Sequence, residues 1–215
     1  MARYEELKGR RVMVTGAASG IGLATACRFA KEGARVFIVD YNAEALEETR
    51  KAHPVFAGFS PADVSREEDV AAAFRQMDRE LGGVDVLISN AGISVRNDVL
   101  DVSYSQWNRT MGINLGGMFL CAREAGRRMK EQGGGVILMT ASTNGTEGHR
   151  WYADYNASKA GVILLTKTMA LELAPVVRVN CVCPGYVLTP MQRAEYTDEM
   201  LAKVNEGIPM KRHAE

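Results

Sequence analysis

The chain has 215 residues, close to one domain at a prior of about 150 residues each, and its 26 Lys plus Arg balance 26 Asp plus Glu. A neutral chain without a basic cluster excludes nucleic acid or an anionic membrane surface as its main partner. With 47% hydrophobic and 24% charged residues it is no disordered chain but a globule able to bury a sizeable core.

Taken in chain order, short β-branched runs alternate with longer helical patterns, the signature of βαβ units and a parallel sheet. Arg11 to Thr15 reads as the first strand. Ile21 to Lys31 follows as a helix with an apolar face at Ile21, Ala24, Thr25 and Phe29. Arg35 to Val39 is a second strand, Ala43 to Ala52 a helix, and Pro54 to Phe59 a weaker third strand. Arg66 to Leu81 reads as a helix opened by Ser65, with Glu68 in capping-box register. Val84 to Ser89 is a fourth strand, and Ser103 opens a helical stretch to about Gln132, bent near Gly112 to Gly117. Gly135 to Thr140, Tyr152 to Leu173 and Val176 to Val182 give a fifth strand, a long helix and a sixth strand. No repeat or linker divides the pattern. The expected architecture is α/β: one doubly wound (Rossmann) parallel sheet with helices on both faces, residues 1–215 forming a single domain.

The opening Met1 to Glu6 carries no apolar signal, and no apolar run reaches about 18 residues, so the expected location is the cytoplasm. Cys27, Cys121, Cys181 and Cys183 lack metal-site spacing, and His53, His149 and His213 lie far apart. No metal is expected.

The first strand runs into Thr15-Gly16-Ala17-Ala18-Ser19-Gly20-Ile21-Gly22 and directly into a helix. Glycines there permit a tight turn, close approach of backbone to a pyrophosphate and tight helix-to-strand packing. The helix N-terminus offers free N–H groups and a positive dipole end to phosphates. Packing alone also explains a bare glycine triplet. Asp40 adds a second signal, because at the end of the second strand it can accept hydrogen bonds from adenosine ribose hydroxyls. Its carboxylate would repel a 2′-phosphate, and Tyr41 and Asn42 bring no compensating cation. The expected cofactor is NAD, with NADP as second choice.

Tyr155 and Lys159 stand four residues apart on one helix and share a face. An ammonium near a phenol favours the phenolate, which would bring the tyrosine toward working pH for giving or taking a proton. Ser142 lies just past the fifth strand, at the sheet end where ligands of such folds bind.

The G-x-x-x-G-x-G spacing, Asp63-Val64, Ser89-Asn90-Ala91-Gly92, Asn114, Ser142, Tyr155-Asn156-Ala157-Ser158-Lys159, Pro184-Gly185 and Thr189-Pro190 follow one another from residue 15 to residue 190. In this order the sequence resembles the single-domain branch of the short-chain dehydrogenase/reductase superfamily. The resemblance implies hydride transfer between a nicotinamide and a secondary alcohol or ketone, with Tyr155 as acid/base and Ser142 holding the substrate oxygen. It implies that the backbone carbonyl of Asn114 seats a water linking Lys159 to solvent. It also assigns the cofactor to Gly16, Ser19, Gly20, Ile21, Gly22, Asp40, Asp63, Val64, Asn90, Ala91, Gly92, Tyr155, Lys159, Pro184, Gly185, Val187 and Thr189. Within that set Asp63 would meet the adenine amine, and Val187 and Thr189 the carboxamide and phosphates.

Tyr152 stands seven residues before Lys159, the spacing of divergent enoyl reductases in the same superfamily, but the remaining motifs make it pocket wall. Candidate pocket residues are Ser94, Val95, Arg96, Asn144, His149, Arg150, Trp151, Tyr152, Tyr186, Met191 and Gln192. The polar and aromatic loop from Asn144 to Tyr152 would suit a hydroxylated small-molecule carbonyl or alcohol such as a polyol or sugar. An NADPH-dependent 3-oxoacyl-carrier-protein reductase and a non-catalytic dinucleotide sensor remain alternatives. The family commonly continues past this chain's end with another helix and strand, so a chain truncated at its C-terminus is expected. Family members are commonly homotetramers built on the two long helices.

Overall fold

The computed structural model describes residues 4–215; residues 1–3, part of the opening stretch read for an export signal, lie outside it. Strands β1 (Arg11–Thr15), β2 (Arg35–Asp40), β3 (Gly58–Pro61), β4 (Val86–Ser89), β5 (Gly135–Thr140) and β6 (Val177–Val182) form one sheet in the order β3-β2-β1-β4-β5-β6. Every pairing is parallel, with Val12 opposite both Val36 and Val86, and Ile137 opposite Val179. The order reverses direction between β1 and β4, which opens a crevice at the carboxyl ends of those strands.

Side chains alternate across the sheet and both faces are buried, which is why the strands read as nearly unbroken apolar runs. Val12, Val14, Val36 and Ile38 pack against Ala26 and Ala30 of α1 (Gly20–Lys31) and Leu46 of α2 (Ala43–Ala52). Met13, Phe37, Leu87, Ile137 and Met139 face the other way. There they meet α3 (Glu67–Leu81), α5 (Gly117–Gln132) and α6 (Ala153–Leu173) through Phe74, Met77, Met118, Met129 and Val162.

Three local expectations are corrected. In α1 the buried positions are Gly22, Ala26 and Ala30, and Ala24 is exposed. Tight packing of Gly22 on the preceding turn rotates the helix away from the face that its larger side chains suggest. The third strand starts at Gly58 rather than Pro54, because it pairs only with the carboxyl half of β2, from Phe37 opposite Gly58 to Asp40 opposite Pro61. No capping box opens α3: its N-cap is Arg66 without a side-chain cap, and the Ser65 hydroxyl donates instead to Asp63 Oδ1 at 2.7 Å. The long stretch opened by Ser103 runs to Gln132 as expected and is interrupted where the bend was expected: α4 (Tyr104–Met111), a π-helical turn (Gly112–Gly116) and α5.

Beyond β6 the sequence reading assigned no elements. Two helices are present, α7 (Pro190–Glu195) and α8 (Asp198–Gly207), opened by Thr189 and Thr197. Each threonine hydroxyl accepts a first-turn N–H, from Gln192 and Met200 at 3.3 Å. The final residues fold back: Ala214 N–H donates to Tyr186 O and Leu188 N–H to Ala214 O, both at 2.9 Å.

Candidate active site

The turn after β1 is shaped by what cannot be there. Gly16 has φ +64°, and a Cβ on it would stand 2.8 Å from Ala91 Cα. A Cβ on Gly22 would collide with the Gly16 carbonyl and with Asn90 Nδ2. Asn90 braces this arrangement: its amide donates to Thr15 O at 3.1 Å, and its Oδ1 accepts from Thr140 at 3.3 Å. Ser19 is the N-cap of α1 and its side chain makes no cap hydrogen bond, so the first-turn N–H groups remain for an anion. At the end of β2, Asp40 accepts from Ala18 N–H at 3.0 Å and Asn42 N–H at 3.1 Å, which fixes the carboxylate at the rim of the turn.

One cavity of about 630 Å³ joins that rim to the tyrosine on α6. Its lining includes Gly16, Ser19, Gly20, Ile21, Asp40, Asp63, Val64, Asn90, Ala91, Gly92, Ser142, Tyr155, Lys159, Pro184, Gly185, Val187 and Thr189. Backbone crowding at Gly16, an uncapped helix start and a carboxylate at the far end fit a dinucleotide laid across the crevice. Of the pocket candidates, Met191 and Gln192 line the cavity; Ser94, Val95, Arg96, Asn144, His149, Arg150, Trp151, Tyr152 and Tyr186 stand outside it, as do Gly22 and Asn114. Asn108 and Arg109, near the end of α4, line it without having been singled out. Their signal was available only as a position three to four residues before Gly112 on a helical face.

Tyr155 and Lys159 lie in the first two turns of α6, as their spacing requires, and Lys159 is buried. Its Nζ donates to Thr140 O at 2.7 Å and stands over the Tyr155 ring, 5.5 Å from the centroid. Burial pushes the ammonium down to about 8. The phenol is not depressed as expected: burial raises Tyr155, the Glu195 charge raises it further, and only the neighbouring Ser142 hydroxyl opposes them. The ammonium faces the ring and is held by a carbonyl, so within the protein's own groups desolvation prevails. Ser142 is buried and N-caps a short 3₁₀ turn, its hydroxyl accepting from Asn144 N–H at 3.2 Å.

Asn114 is fully buried in the π-helical turn. Its amide donates to Ile93 O at 2.9 Å and Ser158 Oγ at 3.1 Å, and its Oδ1 accepts from Ile93 N–H at 2.8 Å. The side chain thereby ties the loop after β4 to α6. Asp154, also fully buried, does parallel work. It accepts from Tyr155 N–H and the Thr110 hydroxyl, both at 2.8 Å, and from Gln106 Nε2 at 3.2 Å. Its position in the first turn of a 21-residue helix adds the favourable end of the helix dipole.

Tyr152, expected as pocket wall, does not line the cavity; its side chain is a clasp. Its hydroxyl lies 2.8 Å from Glu195 Oε2 and 2.9 Å from the Tyr196 hydroxyl, and its ring meets that of Tyr155 edge-on at 6.1 Å. Burial and these partners raise its pKa strongly. Arg96 lies 3.9 Å above the Trp151 ring and 6.0 Å from that of Tyr196. Trp151 has φ +70°, an outlier for a bulky side chain, and its carbonyl accepts from Asn97 N–H at 2.9 Å. Glu195 and Tyr196 escaped the sequence reading, since nothing in the local pattern marks a glutamate in a six-residue helix as facing a tyrosine 43 positions earlier.

Among the described residues no group of His, Cys, Asp and Glu is placed to hold a metal ion, and no helix is long and apolar enough to cross a membrane. A family model described as short chain dehydrogenase matches residues 10–200. D-xylose 1-dehydrogenase of Caulobacter vibrioides is 36% identical over 207 residues, covering 94% of this chain and 82% of that protein. 3beta-Hydroxysteroid dehydrogenase 1 of Eggerthella lenta is 39% identical over 215 residues, covering 96% and 82%. The crystal structure of gox2181 superposes with a TM-score of 0.93 at 34% identity, covering 99% of this chain and 87% of that one.

Proposed function

The chain belongs to the short-chain dehydrogenase/reductase superfamily and is an oxidoreductase of CH–OH groups, and on that premise we propose that it moves a hydride between NAD(H) and a secondary alcohol or ketone. One observation carries the reading: the cavity that begins at Asp40 ends on Ser142, Tyr155 and Lys159. When bound, the nicotinamide supplies the hydride donor or acceptor and, oxidised, a positive charge beside the phenol.

In reduction the Tyr155 O–H gives its proton to the developing alkoxide; in oxidation the phenol oxygen takes the alcohol's proton. Ser142 orients the substrate oxygen by hydrogen bonding, and its contact with Tyr155 favours the phenolate. Lys159, titrating near 8, is tuned to refill or drain that proton at working pH. The backbone carbonyl of Asn114 in the π-helical turn serves as the seat of the water that passes the proton on to solvent. A π-helical turn is a frequent device at functional sites.

Asp40 supports NAD over NADP, because a 2′-phosphate would meet its fixed carboxylate. We place the enzyme in the cytoplasm as a homotetramer, assembled through the apolar outer faces of α5 and α6, where Phe119 and Leu164 are exposed. The test follows nicotinamide absorbance with NADH and NADPH over a panel of ketones, oxoacyl thioesters, sugars and diols, with Tyr155→Phe as control. Turnover with NADH that disappears in the variant supports the reading. NADPH preference refutes the role of Asp40, and turnover surviving in the variant refutes that of Tyr155.

A further inference from the structure

Ser142 stands at the head of a piece of backbone that cannot hold itself. The 3₁₀ turn after it, Thr143–Gly145, has three residues, and so short a helix persists only where its neighbours fix it. Three contacts do so. Thr143 N–H donates to Pro184 O at 3.1 Å. Gly145 lies flat on α6, where a Cβ would stand 2.7 Å from the Lys159 carbonyl. The third contact is a pair of amides. Asn144 Nδ2 donates to Asn156 Oδ1 at 2.8 Å, and Asn156 follows Tyr155 directly on α6.

Donor and acceptor counting fixes the direction of this pair. The other end of the Asn156 amide meets His149 O at 2.8 Å, and a carbonyl can only accept. Asn156 therefore presents Nδ2 to His149 and Oδ1 to Asn144, which must turn its own Nδ2 toward it. With its side chain held in this way, Asn144 gives its backbone N–H to Ser142 Oγ at 3.2 Å. One lone pair of the serine oxygen is thus occupied from within the turn, and its single hydrogen remains to be given. Ser142 lines the cavity, whereas Asn144 and Asn156 do not.

We infer that Asn144 and Asn156 are positioning residues for hydride transfer, their amide bond setting the Ser142 hydroxyl as a donor toward the Tyr155 oxygen and the substrate oxygen. This inference rests on the hydride-transfer reading above and adds two residues to it. The pair ties the turn that carries Ser142 to the helix that carries Tyr155, one residue from the phenol. Without the tie the Asn144 backbone, and the serine hydroxyl with it, loses its orientation. The dinucleotide end of the cavity, braced by the bonds of Asp40 and Asn90, is left untouched. Chemistry should fall while cofactor binding stays. Because the Ser142 contact favours the Tyr155 phenolate, its loss should also push the onset of alcohol oxidation to higher pH.

The test places Asn144→Ala and Asn156→Ala in wild type and in a Ser142→Ala background. Each is assayed with NAD and the panel alcohol that wild type oxidises fastest. Readouts are kcat/KM, its pH profile and the NADH Kd from fluorescence titration, with circular dichroism as the check on folding. Asn144→Ala is expected to lower kcat/KM about 10- to 100-fold, the range for a misplaced group at a reacting centre, and to move the pH profile upward. Its NADH Kd should stay within about twofold of wild type, as for sites that do not interact. In the Ser142→Ala background the same substitution should change kcat/KM by less than about twofold, because the tie acts through the serine. Asn156→Ala breaks the tie from α6 and is expected to match. Wild-type kcat/KM in folded Asn144→Ala overturns the proposal. So does a loss that persists in full beside Ser142→Ala, or one matched by an equal loss of NADH binding, since a merely structural role gives either. Failure of both variants to fold has the same meaning. Ser142→Ala as active as wild type, or wild type inactive on the whole panel with either nicotinamide, overturns the parent reading instead.

Discussion

At Tyr155 and Lys159 two adjacent titrations move in opposite senses for one reason, burial. Replacing Tyr155 with Phe removes only the hydroxyl, and kcat is expected to fall by about 10²- to 10⁴-fold, the usual contribution of a positioned acid/base. Stopped-flow NADH absorbance checks it. Lys159 gives a stability prediction with a definite sign. A lysine that titrates at 10.5 unfolded and about 8 folded is protonated in both states below pH 8, where burying the ammonium costs about 3 kcal/mol. Between pH 8 and 10.5 the unfolded chain alone retains the proton, so stability climbs with pH. Urea unfolding at pH 7.5 and 9.5 should therefore show wild type gaining on Lys159→Met; parallel behaviour would refute the buried ammonium. At the other end of the cavity, Asp40→Ala is expected to raise the NADPH/NADH ratio of kcat/KM by at least tenfold, read from the same absorbance assay.

Among the elements, the turn between β1 and α1 tolerates least. Gly22→Ala puts a methyl onto the Gly16 carbonyl and the Asn90 amide, both already engaged in holding the sheet ends together. The expected cost is about 1–3 kcal/mol, as for overpacking elsewhere, along with loss of NADH affinity. Thermal unfolding and fluorescence titration measure the two effects separately. This turn, Asp40 and the Tyr155–Lys159 pair were legible in sequence because each depends on local spacing: a glycine series, a strand end, one helical turn. The α1 face was misread for a complementary reason. Periodicity weighs large apolar residues, whereas here close approach at Gly22, Ala26 and Ala30 decides which side meets the sheet. Ser65 looked like a cap because sequence cannot show that Asp63 has already taken its hydroxyl. The Glu195–Tyr152–Tyr196 clasp was invisible because it joins α6 to a segment some 43 residues away through side chains alone.

For the whole molecule, both faces of the sheet are covered, yet Phe119, Leu164 and Leu171 stand exposed on the outer side of α5 and α6. Such apolar surface is what a homotetramer would bury. Sedimentation velocity is expected to show a wild-type assembly of four chains that Leu164→Glu dissociates, with the far-ultraviolet circular dichroism retained. The site is likewise a product of the whole. Strand ends bring Gly16, Asp40, Asn90 and Ser142 to one edge, and the loop after β4, α6 and α7 add Ile93, Tyr155, Lys159, Met191 and Gln192 to the same cavity, while Arg96 stacks on Trp151 outside its lining. That stack has an optical consequence. Trp151 is 45% exposed with a guanidinium 3.9 Å above its ring, and Trp107 is the other tryptophan of the chain. Its emission therefore responds to anything that displaces Arg96 or excludes water from the indole. The protein thus carries its own fluorophore under Arg96, and with Trp107→Phe as the background a spectral shift on adding a ligand would report displacement of that guanidinium without any label.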